Sequence, residues 1–147
     1  MKNITLRGAL LGATLAAAAA LPLSASAADM AAFTAKLTSS AEVPPNNSPA
    51  SGTLDATLDK DTRQLTWTVT FIGLTGPATM AHFHGPAMPG ANAGVVVPFP
   101  KAVSPVEGKA TLTPEQVADL LAGKWYANVH TAAHPGGEIR GQVTLTK

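Results

Sequence analysis

Two runs decide how this chain folds: Gly52-Thr53-Leu54-Asp55-Ala56-Thr57-Leu58 and Leu65-Thr66-Trp67-Thr68-Val69-Thr70-Phe71, separated by Asp59-Lys60-Asp61-Thr62. Every second residue is apolar in both. Successive side chains of a strand point to opposite faces, so this period of two marks a strand with one face in a core. Leu54, Ala56 and Leu58 share one such face, and Leu65, Trp67, Val69 and Phe71 share the other. Two runs of this kind across a short polar connection predict an antiparallel hairpin.

The same pattern extends outward. Phe33, Ala35 and Leu37 alternate with Thr34, Lys36 and Thr38, which predicts a strand over 33–38. Glu42-Val43-Pro44-Pro45-Asn46-Asn47-Ser48-Pro49 holds too many prolines for a central strand and reads as an extended loop, with Glu42 free to fold over the sheet. Beyond the hairpin, Gly73-Leu74-Thr75-Gly76-Pro77 is a break, 79–84 a short strand, and 85–94 a loop of Gly, Pro, Ala and Asn. Val95-Val96-Val97 is a strand closed by Pro98 and Pro100, and 109–112 another. The one helix falls at 114–122: Thr113 is its N-cap, Pro114 its first residue, and Gln116 completes a capping box. Val117, Leu120 and Leu121 form its expected buried stripe and Gly123 ends it. Strands at 125–131 and 138–145 close the chain. Seven or eight short strands with one helix predict an all-β fold, a Greek-key, immunoglobulin-like sandwich or a partly closed barrel.

The first residues carry a different message. Lys2 and Arg7 precede an uncharged, mostly apolar stretch over 8–23, and Ala25-Ser26-Ala27 is a small-x-small cleavage site. That combination predicts a signal peptide over 1–27 and a single domain over 28–147, secreted to the periplasm or the medium. The apolar stretch is short, alanine-rich and interrupted by Pro22, so no membrane span is expected after cleavage. The whole chain has 10 Lys+Arg and 9 Asp+Glu; without Lys2 and Arg7 eight basic residues face nine acidic ones. No basic patch survives to suggest nucleic acid. There is no cysteine, so the domain holds together without disulfides and any metal site lacks thiolate. About 120 residues suffice for one core.

All four histidines fall in two segments, Met80-Ala81-His82-Phe83-His84-Gly85-Pro86 and Asn128-Val129-His130-Thr131-Ala132-Ala133-His134. Alternation puts Met80, His82 and His84 on one strand face, with Ala81 and Phe83 towards the core. In 125–131, Trp125, Ala127 and Val129 read as the core face, which sends Tyr126, Asn128 and His130 outward or into a cleft. Two neighbouring strands would then bring His82, His84 and His130 onto one metal ion, with His134 or Met80 as the fourth ligand. Imidazole without thiolate suits copper or zinc, and the thioethers of Met80 and Met88 favour copper. The competing reading is structural: the imidazoles bond to backbone carbonyls, and the domain is an interaction module of the cell envelope. Glu138 and Arg140 share a strand face, where they form an ion pair, reach a neighbouring loop or simply face solvent. Arg140 is also placed to orient the His130 loop through carbonyl hydrogen bonds. The sequence shows no nucleophile motif, phosphate loop or dinucleotide fingerprint, so no catalytic residue is assigned and no enzyme is expected.

Taken together, Glu42-Val43-Pro44-Pro45, Gly73-Leu74-Thr75, Ala81-His82-Phe83-His84-Gly85-Pro86-Ala87, Leu121-x-Gly123-x-x-Tyr126-x-Asn128-Val129-His130-Thr131 and Pro135-x-Gly137-Glu138-Ile139-Arg140-Gly141-Gln142 resemble the CHRD domain, named for the animal protein chordin. The resemblance covers essentially all of 28–147 and implies a secreted, non-enzymatic domain. Growth-factor antagonism, which the family resemblance brings from chordin, is not carried over, because the cysteine-rich modules that accompany the domain there are missing. His82-Phe83-His84 is also faintly similar to the His-x-His of copper–zinc superoxide dismutases. The metal-bridging loop and paired cysteines of those enzymes are absent, which leaves a dismutase-like metalloenzyme a distant third reading.

Overall fold

A computed structural model describes residues 27–146; the expected signal peptide lies almost wholly outside the described residues. The elements are β1 (Met30–Thr38), β2 (Ser51–Asp59), β3 (Gln64–Ile72), β4 (Ala78–His84), β5 (Val95–Pro98), β6 (Val106–Thr111), α1 (Pro114–Leu121), β7 (Tyr126–Thr131), β8 (Ile139–Gln142) and β9 (Thr144–Leu145). They form one sheet in the order β5-β4-β7-β8-β1-β2-β3-β6, with β9 on β1, and every pairing is antiparallel. The sheet curls into a nearly closed barrel. Of the two all-β architectures the sequence allows, the structure takes the barrel.

The hairpin of 52–71 is in place: Leu54 faces Val69, Ala56 faces Trp67 and Leu58 faces Leu65. Asp59 shapes the turn by accepting the backbone N–H groups of Asp61 and Thr62. The expected last strand divides at Val143, which leaves the ladder to donate its N–H to Trp125 while β9 crosses to β1. The capping box at Thr113 and Gln116 forms, but of the expected stripe Leu121 is exposed; Leu120 is buried and Val117 packs against the core.

Inside the barrel sit Phe33, Leu37, Leu54, Leu58, Leu65, Val69, Phe83, Trp125, Val129 and Ile139, each at most 1% exposed. The seam between the end strands is filled by Phe99, whose ring meets Trp67 at 5.3 Å and Phe83 at 4.9 Å. Side chains pointing outward from β1, β2 and β3 are mostly exposed threonines and charges. On β7 every residue is buried, on both faces. That departure from alternation marks the place where loops cover the outside of the barrel.

Candidate metal centre

The register of β4 against β7 pairs Met80 with His130, His82 with Asn128 and His84 with Tyr126. Paired residues share a face, so these six side chains form one patch outside the barrel. β8 extends it by setting Arg140 beside Asn128 and Gln142 beside Tyr126. The patch is roofed by the 85–94 loop. Arg140 donates to the Asn92 Oδ1 at 2.8 Å and to the Ala91 carbonyl; Gln142 donates to the Ala87 carbonyl at 2.9 Å; the Tyr126 hydroxyl accepts from the Ala93 N–H and donates to its carbonyl.

His82, His84 and His130 converge here. One ring nitrogen from each lies within 4.8 Å of the other two. His82 Nδ1 and His130 Nε2 are already 3.3 Å apart, about the edge of a tetrahedron with metal–nitrogen bonds of ~2.05 Å. Small rotations of His84 would complete the set. The expected convergence of these three histidines is therefore present, and His130 faces a covered cleft.

The backbone fixes which nitrogen His84 offers. A carbonyl oxygen only accepts, so His84 Nδ1 donates its proton to Ala93 at 2.9 Å, while His130 Nδ1 lies 2.9 Å from the Pro135 carbonyl. The Nε2 of His84 then carries a lone pair, the arrangement a ligating imidazole needs. His84 Nε2 is buried and has no hydrogen-bond partner. His130 Nε2 lies 2.9 Å from the Asn128 Oδ1 and 3.3 Å from His82 Nδ1, so the neutral His130 ring can donate to Pro135 or to Asn128 but not to both. Burial, followed by the neighbouring His130 and His84, holds the His82 imidazole below the ordinary histidine pKa. Burial also lowers His130, helped by His84, while the bond to Pro135 acts against it. Both shifts favour the neutral imidazole, the form that metal binding requires.

Of the other expected ligands, Met80 is on the same face, half exposed, and shares a cavity of about 290 Å³ with His82, Pro98, Phe99 and Lys101. His134 lies elsewhere: it lines a separate cavity with Val43, Pro44 and Pro45 and is not one of the converging histidines. Met88 is exposed in the 85–94 loop.

Of the three arrangements expected for Glu138 and Arg140, the structure takes the reach to neighbouring loops: they form neither an ion pair nor a solvated face, and both are buried. The Glu138 carboxylate accepts from the hydroxyls of Ser48 (2.5 Å), Thr131 (2.6 Å) and Thr75 (2.9 Å) and from the Thr75 N–H (2.8 Å). Burial pushes its pKa up, but these bonds together outweigh it and hold the group at about 2. Arg140 ties down the 85–94 loop instead of the His130 turn. Its guanidinium also lies 3.4 Å above the Tyr126 ring, and Tyr126 stacks parallel to His84 at 4.8 Å, 1° between planes. Glu42 does fold over the sheet: it is buried against Gly137, whose missing Cβ leaves its carboxyl room beside Asn128. Burial raises Glu42 to about 7, against the Arg140 charge and a Val43 N–H bond, and one oxygen has no partner.

Sequence reasoning found the three histidines and missed the Arg140–Tyr126–His84 stack. The available signal was the polar face Tyr126-x-Asn128-x-His130 opposite a wholly apolar one. The 85–94 loop, longer than a hairpin needs, was the cover such a face requires.

Among the described residues no helix is long and apolar enough to cross a membrane. The family model of the CHRD domain matches residues 33–143. No curated protein and no solved structure matches the chain.

Proposed function

Starting from a chain that belongs to the CHRD domain family, in general a non-catalytic one, we propose that this protein is an exported, non-enzymatic domain that binds one metal ion, copper before zinc. His82, His84 and His130 are the protein ligands. Met80 supplies the fourth position from the open side, where His134 does not reach. One observation carries this reading: the buried, unpartnered Nε2 of His84, its tautomer set by Ala93, aimed among two other imidazoles. A buried acceptor left without a partner costs about 1–3 kcal/mol, and an ion would recover it. Copper is favoured by a donor set of imidazole and thioether with no thiolate or carboxylate. Export is supported by the basic, apolar and small-x-small segments of 1–27.

The test is metal affinity and stoichiometry of the 28–147 protein against a His82→Ala/His84→Ala variant, by competition with a chromogenic chelator. One saturable equivalent, lost in the double variant, is the expected result. Equal and weak competition by both proteins would remove metal binding and leave the histidines as hydrogen-bonding architecture in an envelope interaction module.

A further inference from the structure

We infer that Arg140 selects the charge of the bound ion: its buried guanidinium, stacked through Tyr126 onto His84, disfavours a divalent cation and makes the site one for a monovalent soft ion, Cu(I). This inference rests on the metal reading above and adds to it an oxidation state and the residue that sets it.

Arg140 is 2% exposed and makes no ion pair among the described residues; its bonds go to the neutral Asn92 amide and the Ala91 carbonyl. Between it and the candidate ligand lie only the Tyr126 ring and the gap to His84. A guanidinium cannot shed its proton to escape burial. The other charges facing the cluster offset it in part or add to it. Glu42 senses Arg140, yet its burial keeps much of it protonated near neutrality. The Glu138 carboxylate is ionised and bonded only by the neutral donors of Ser48, Thr75 and Thr131, so its charge offsets Arg140 in part. Lys101, beside His82 and Met80 in the open cavity, adds positive charge. The converging ligands are three imidazoles, with no carboxylate among them. A divalent ion would thus bring two charges beside this guanidinium, with no anion in its coordination shell. A monovalent ion halves that repulsion. At roughly 10 Å and an effective dielectric of about 20, a unit charge changes affinity about tenfold for each further charge on the ion.

Asn92 offers a gentle way to cancel Arg140. It is exposed, and Asn92→Asp puts a carboxylate on the atom that already accepts from Arg140 Nη1 with almost no change of shape, losing only the 3.1 Å bond from Asn92 Nδ2 to the Val43 carbonyl. Affinities for Cu(I), under ascorbate, and for Cu(II), in its absence, are measured by chelator competition for wild type, Asn92→Asp, Arg140→Gln and Arg140→Lys. The ratio of Cu(I) to Cu(II) affinity is expected to fall about tenfold in Asn92→Asp and in Arg140→Gln, mainly through tighter Cu(II) binding, with Zn(II) tightening in parallel. Arg140→Lys, which keeps the charge, should stay within about threefold of wild type. If Arg140→Gln does not fold, Asn92→Asp carries the test alone. Copper bound through the histidines with an unchanged ratio in Asn92→Asp overturns the role of Arg140 and leaves the metal site standing. Failure of wild type to bind copper in either state overturns both.

Discussion

The two faces of β7, and of the His84 end of β4, are both buried and are held by opposite means. Inside the barrel, Phe83, Ala127 and Val129 are hidden by packing against Phe33, Trp125 and their neighbours. Outside it, His84, Tyr126, Asn128 and His130 are hidden by loops that hydrogen bonds hold down. The inner face needs only volume and apolarity, which many side chains supply. The outer face needs each donor to meet its acceptor, and its one unmet buried imidazole nitrogen stands where an ion fits. Burial by itself therefore says little about role; the kind of cover does.

The largest effect expected from breaking this pair of faces lies inside. Phe83→Ala opens a cavity between Trp67, Phe99 and Trp125 and should cost about 3–5 kcal/mol in denaturant-induced unfolding. A loss under 1 kcal/mol would mean that the core is less tightly packed than its ring contacts indicate.

Next comes the latch of the outer side. Glu138→Gln replaces a carboxylate that accepts four hydrogen bonds and should cost about 3 kcal/mol. Its pH signature has a definite sign. The folded pKa lies below the model-peptide value, so the carboxylate's stabilisation is complete above about 4.5 and fades as the pH falls towards 2. Urea midpoints measured across that window should slope steeply in wild type and less in Glu138→Gln.

Glu42 should slope the other way. Its folded pKa is raised, so its contribution is full below about 4.5 and is lost as the pH climbs through about 7. Glu42→Gln should gain on wild type over that interval. Parallel midpoint curves for the two proteins would show that the buried carboxyl is not the titrating group.

The smallest effect concerns the metal. The core is complete without it, so a chelator added to the metal-loaded protein should leave the β-rich circular dichroism and cooperative melting intact and lower the melting temperature only modestly. Loss of cooperativity on chelation would make the ion structural and erase the distinction between the two faces.

The inner face was readable in the sequence, because alternation alone sorts Phe83, Ala127 and Val129 from their neighbours. The same alternation put His82, His84 and His130 on one side, and antiparallel register did the rest. What alternation could not supply was cover. Asn92 meets Arg140 across 48 residues and Ser48 meets Glu138 across 90; no local pattern encodes such closures. For that reason a solvated face was a fair expectation for Glu138 and Arg140, and the stack on Tyr126 came only with the fold. The helix stripe erred at Leu121 for a related reason: a helix of two turns lying beside a barrel buries a narrower stripe than one inserted between layers.

The far end of the chain has a consequence of its own. β9 lies against β1, with Thr144 opposite Thr34 and Leu145 opposite Phe33, and the Thr146 N–H donates to Ala32 at 2.8 Å. The two ends of the described chain are thus side by side on one rim. The ladder bearing the histidines and the loop over them lie elsewhere in the sheet. Such a domain is suited to circular permutation: a short glycine linker could join Thr146 to the segment before Met30, and the chain could reopen at the exposed Asp61–Thr62 turn. The permuted protein would start and finish at a hairpin tip, with the polar layer and its loop roof in one unbroken stretch of sequence.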